Sequence, residues 1–177
     1  MTAATQTDVN TTQVYRVYIK ATPQAVWDAI TSAEWTQRYG YGGSATWDPE
    51  LKPGATYRGL ASEAMREMGA PEVAVDGEVI EADPPHKLVQ TWRMLMDDAM
   101  VAEGFTRLTY EIVEGKGGVT KLTLTHELEG KPQLALLMSG GLDEMGAGGG
   151  WSWVLSDLKS LLETGAAMDG QNPLNQG

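Results

Sequence analysis

The chain of 177 residues has no cysteine. That excludes a disulfide framework, a thiolate nucleophile and a cysteine-ligated zinc site. Basic residues are scarce: 13 Lys and Arg stand against 24 Asp and Glu, for a net charge of −11. A surface so acidic repels phosphate backbones, so no nucleic-acid partner is expected. The two histidines, His86 and His126, lack any ligand spacing, and no metal or other cofactor is expected. No apolar run approaches the ~18 residues that span a bilayer, so no membrane partner is expected either. The N-terminus has no basic start followed by an apolar stretch, which leaves a cytoplasmic location as the expectation. Phenylalanine is nearly missing, with one residue against six Trp and six Tyr. Phe fills a core freely, whereas Trp and Tyr bring polar tips that need partners. Unless the bias is chance, it points to a cavity lined by amphipathic rings.

What remains is an ordinary globular composition, 42% hydrophobic and 21% charged, of a length that suits one domain. Residues 1–12 and 166–177 carry no apolar periodicity and read as disordered tails around a domain at 13–165. Within it, Val14–Ala21 alternates as a half-buried strand with Tyr15, Val17 and Ile19 on one face. Thr22-Pro23 caps a short helix with the stripe Val26, Trp27, Ile30, and Ser32 opens a second at Ala33–Tyr39. Strands follow at Ala45–Asp48, Thr56–Leu60, Val73–Ala82, Lys87–Met96, Thr106–Val113 and Thr120–Leu128. Ala61–Pro71 reads as a loop or short helix, and Gly115–Gly118 as a hairpin turn. The last element is the clearest helix: Trp151, Val154, Leu155, Leu158, Leu161 and Leu162 keep i, i+3, i+4, i+7 spacing, and Gly165 sits at the C-cap. An antiparallel sheet with one apolar face needs a cover, and this helix supplies it.

The stretches Ala21–Ile30, Pro53–Gly59, Gly77–Val89, Thr91-Trp92, Thr120–Glu127 and Gly150-Trp151 leading to Leu155 and Leu158 carry a family resemblance. In this order they resemble the START-like (SRPBCC) helix-grip superfamily. More narrowly they resemble its branch named after activators of the heat shock protein 90 ATPase. The resemblance implies an α+β fold in which a curved antiparallel sheet grips a long C-terminal helix, with two short helices after the first strand and a cavity between sheet and helix. It implies no single chemistry, because the superfamily holds ligand carriers, cyclases and chaperone cofactors.

Strand alternation places Gln90, Trp92, Met94, Tyr110 and His126 inward, beneath the helix that brings Trp151, with Trp27 and Tyr57 near the rim. Mostly apolar walls with a few polar anchors describe a small-molecule site. A buried His126 wants a partner for each nitrogen; it is either a satisfied core histidine or a polar group aimed into the cavity. Gln90 poses the same alternative. Gly146–Gly150 precedes a helix, but no Gly-Lys-Ser/Thr follows, so it reads as a hinge or lid rather than a phosphate loop. Trp153 lies off the apolar stripe, with Asp157 and Ser160; it is a candidate anchor of a homodimer, or packs under the glycine-rich loop. The leading expectation is a binder of a small hydrophobic or aromatic molecule. A chaperone-cofactor-like interaction module is one alternative, and a cyclase- or hydrolase-type enzyme using His126 as acid–base is another.

Overall fold

A computed structural model describes residues 12–145 and 148–168. The chain begins with β1 (Thr12–Ile19), followed by α1 (Pro23–Thr31) and α2 (Ala33–Thr36). Then come β2 (Ser44–Trp47), β3 (Thr56–Leu60), α3 (Glu63–Glu67), β4 (Val73–Asp83) and β5 (Lys87–Met94). Next are α4 (Asp98–Glu103), β6 (Thr106–Glu114), β7 (Thr120–Glu127), α5 (Pro132–Met138) and α6 (Gly150–Thr164). The strands form one antiparallel sheet in the order β1-β7-β6-β5-β4-β3-β2. Strands β2 to β7 run as a meander, and β1 returns to the far edge beside β7. The fold is the α+β helix-grip expected from the resemblance.

Local chemistry explains most boundaries. The Thr22 hydroxyl accepts from Ala25 N at 3.2 Å and Pro23 takes the first turn, so α1 starts where the sequence places it. Gly165 ends α6 in the left-handed region at φ 80°, its N–H bonded to Leu161 O. The sheet bends at two irregularities, one between Gly59 and Leu60 and one between Val79 and Glu81. At Gly77 a Cβ would stand 2.0 Å from the Thr91 carbonyl oxygen, so this close strand approach admits only glycine. The concave face carries the core: Leu88, Leu108, Leu122 and Leu124 from the sheet, Leu128 just past β7, and Leu155 and Leu158 from α6 are all buried.

Several sequence expectations need correcting. The acidic connection at 97–98 opens a helix, α4, because the Asp97 carboxylate accepts from Ala99 N and Met100 N. The approach to the last helix contains α5, whose Leu134, Ala135 and Met138 are buried. The second short helix stops at Thr36, before Tyr39, and β5 stops at Met94. Residues 1–11 and 169–177 of the expected tails lie outside the described residues, but 166–168 fold back on α6. Ser160 Oγ donates to Ala166 O, and Met168 N donates to Asp157 at 2.7 Å. The single phenylalanine, Phe105, is no core residue: it is 48% exposed, with the Arg93 guanidinium 4.3 Å above its ring.

Candidate functional site

A partly enclosed cavity of about 210 Å³ lies between the concave sheet and α6. Trp92 and Met94 on β5, Tyr57 on β3 and Trp151 on α6 form its wall, as strand alternation and helix periodicity require. Room is made by small residues, Gly43, Ala45, Gly59 and Ala74, which stand where larger side chains would fill the space. Met65 of α3, Met96 and Leu137 complete the wall, so the 61–71 segment and α5 both contribute to it. No lining residue carries a charge.

The polar tips of the wall are mostly engaged with protein. Tyr39 donates to Ala29 O at 2.9 Å, and Tyr41 accepts from Gly150 N at 3.0 Å. The Tyr57 hydroxyl lies beside the Trp92 indole. Burial holds the hydroxyls of Tyr39, Tyr57 and Tyr110 protonated far above the usual phenol range, and the proximity of Tyr57 adds to it at Tyr39 and Tyr110.

His126 lies behind this wall, not on it. Its Nδ1 accepts from Trp151 Nε1 at 3.0 Å, and its Nε2 stands 2.7 Å from Thr106 Oγ1. The Thr106 hydroxyl donates to Trp92 O at 2.8 Å, so toward the imidazole it acts as an acceptor. The hydrogen-bond network therefore assigns a neutral imidazole with its proton on Nε2. Burial lowers its pKa to about 3, because a charged ring there has no water. This is the satisfied core histidine of the two alternatives. Its rigid network fixes the Trp151 indole and the Trp92 backbone in the cavity wall.

Other expected site residues separate in the same way. Trp27, expected near the rim, is 5% exposed and belongs to the core beneath α1. Helical periodicity turns it to the sheet, and the rim is built instead by loops and by α3. Tyr110 packs partly buried against the core, off the wall. Gln90 also stands off the wall; its Oε1 accepts from Trp47 Nε1 at 3.1 Å. Tyr57, Trp92, Met94 and Trp151 are brought together on the wall. Tyr39 and Tyr41 were missed, since a residue in a loop carries no periodic sign of facing a cavity, and Val154, on the apolar stripe of α6, also lines it.

The glycine-rich approach to α6 is a site of close backbone packing. A Cβ on Gly150, which has φ +64°, would stand 2.1 Å from the Met138 carbonyl oxygen. The stretch thus lets α5 and α6 touch. Part of the face of α6 off its apolar stripe is covered as well, though Ser152 and Ser156 stay exposed. Asp157 is 4% exposed and accepts from Gly40 N at 2.7 Å as well as from Met168 N. Trp153 is half-buried beside Gly149, with its indole N–H 3.4 Å from Gly40 O. Its ring thus reaches toward the residue 40 loop.

No described helix is long and apolar enough to cross a membrane. Among the described residues, no group of three His, Cys, Asp or Glu is placed to hold a metal ion.

Comparison with solved structures supports the fold. A protein of Staphylococcus saprophyticus superposes with a TM-score of 0.61 at 17% identity, covering 90% of this chain and 96% of that one. The solution structure of the Aha1 dimer from Colwellia psychrerythraea superposes with a TM-score of 0.58 at 17% identity, covering 88% and 98%. CalU16 from Micromonospora echinospora superposes with a TM-score of 0.56 at 19% identity, covering 92% and 70%. At these identities the likeness is one of fold. No curated protein matches the chain. The family model described as "Activator of Hsp90 ATPase homolog 1-like protein" matches residues 20–163, and the chain belongs to that family.

Proposed function

We propose that the cavity binds one small, uncharged, largely apolar molecule with an aromatic ring, and that the chain is a cytoplasmic binding protein. The observation that carries this reading is the cavity itself: about 210 Å³, without a charged lining group, walled by Tyr and Trp rings. Drug-sized pockets run from roughly 300 Å³ upward, while roughly 150 Å³ accommodates a benzene ring, so the volume selects a ligand of one or two rings. The reading is one of binding rather than acid–base catalysis. His126, the inward imidazole, has both nitrogens engaged and stays neutral at physiological pH.

The test is titration with ethylbenzene, followed by intrinsic fluorescence, since Trp92 and Trp151 line the cavity. Ala74→Leu should fill part of the space and weaken binding about tenfold or more. Saturable binding that is equally strong in the filled variant would refute the site.

The family supports a second reading. Its name refers to activators of the Hsp90 ATPase, and the Colwellia relative forms a dimer. On that reading the chain engages an Hsp90-type chaperone or a second copy of itself, for which the exposed part of Trp153 is the candidate anchor. Stimulation of the chaperone's ATPase by wild type and by Ala74→Leu alike would favour it over the cavity reading. Sedimentation of wild type against Trp153→Ser tests the anchor: loss of a wild-type dimer in the variant supports it, and indifference removes it.

A further inference from the structure

Buried side-chain polar atoms are hydrogen-bonded as a rule, and each exception requires a reason. Among the described residues one such atom has no partner, Gln90 Nε2. The residue is 1% exposed. Its orientation is not arbitrary. Oε1 accepts from the Trp47 indole N–H at 3.1 Å, and flipping the amide would set N–H against N–H. Two amide protons therefore remain without a partner in the interior, where an unmade hydrogen bond is costly.

The position of Gln90 gives that donor a direction. Residues 90, 92 and 94 alternate along the inward face of β5, and Met96 continues toward the rim. Met96, Met94 and Trp92 all line the cavity. Exposure falls along this row from 37% at Met96 to 6% at Met94, 4% at Trp92 and 1% at Gln90. Gln90 is thus one inward step beyond the wall, about 7 Å from Trp92 along the strand, at the closed end. Trp47, the residue that holds the Gln90 amide, stacks 4.8 Å from the ring of Tyr57 on the wall, while the Tyr57 hydroxyl itself lies toward Gly59, on the Met94 side.

We propose that the closed end of the cavity is a hydrogen-bond-donating subsite, in which Gln90 Nε2 donates to a neutral oxygen on the ring-bearing ligand. The ligand class is an aromatic ketone, ester or similar neutral carbonyl compound. A carboxylate is disfavoured, because no cation lines the cavity to offset its desolvation. The proposal rests on the cavity-binding reading and adds the chemical identity of one end of the ligand.

Acetophenone and ethylbenzene test it, being nearly equal in shape and differing by a carbonyl oxygen against a methylene. The measurements are calorimetric affinities for wild type and Gln90→Met, and the side-chain amide resonances of Gln90 in wild type. Gln90→Met should weaken acetophenone about tenfold relative to ethylbenzene, the scale of one buried hydrogen bond. Acetophenone, and not ethylbenzene, should shift the Gln90 amide signals. These signals decide the question in the wild-type protein if the variant does not fold. If both ligands bind with an unchanged affinity ratio and silent Gln90 signals, the subsite is wrong and the cavity reading survives. If neither ligand binds wild type, both are overturned.

Discussion

Acidification offers a sharp test of the His126 assignment. In the unfolded chain the imidazole has its ordinary pKa near 6.5, and in the folded chain burial lowers it to about 3. Between these values the unfolded state binds a proton that the folded state refuses. Stability therefore rises with pH across this window, is fully present above about 6.5, and is lost as pH falls. Each pH unit below 6.5 costs about 1.4 kcal/mol, which gives about 2 kcal/mol at pH 5. Geometry explains the refusal: a proton on Nδ1 would face the Trp151 N–H at 3.0 Å, donor against donor. The comparison that isolates this group is His126→Gln. A Gln amide can accept from Trp151 and donate to Thr106 without titrating. Urea unfolding of both proteins from pH 8 to pH 4.5 should give a wild-type curve that falls more steeply below pH 6.5. The excess slope should approach 1.4 kcal/mol per pH unit, with all other titrating groups common to both. Parallel curves would refute the buried neutral imidazole, as would an NMR titration of His126 with a midpoint near 6.5.

Two further substitutions probe the packing that shapes the site. Gly150→Ala should cost several times as much as Gly117→Ala. Both have positive φ, which costs about 1 kcal/mol in a non-glycine residue, but only Gly150 would drive a Cβ into a carbonyl oxygen, that of Met138, while Gly117 has open space. Thermal unfolding of the two variants checks this, and equal losses would mean that α5 and α6 do not touch there. Asp157→Ala removes a buried carboxylate that accepts two backbone N–H groups, and should cost about 2–4 kcal/mol in chemical denaturation. A loss below 0.5 kcal/mol, the range of an ordinary surface change, would show that the residue 40 loop and residues 166–168 are not held by it.

Much of this architecture is local chemistry and could be read directly. Thr22-Pro23 must begin a helix, β6 and β7 alternate, and the 151–162 stripe needs a sheet beneath it. Alternation also turned Gln90, Trp92, Met94, Tyr110 and His126 inward, because side chains on a strand leave alternate faces whatever the strand pairs with. Inward is not the same as cavity-lining, however. Which inward residues meet empty space depends on what stands opposite, and that is decided by residues far away in sequence. Gly43, Ala45, Gly59 and Ala74 leave a gap before Trp92 and Met94, while Trp151 and Thr106 close around His126. Asp157 falls off the apolar stripe of α6, and periodicity sees only its own helix. It is buried because the residue 40 loop folds across α6 and supplies a backbone N–H. Periodicity thus determined faces and the order of elements. The three-dimensional pairing of small residues with large ones, and of polar tips with distant backbone, decided which face holds a cavity and which a filled core.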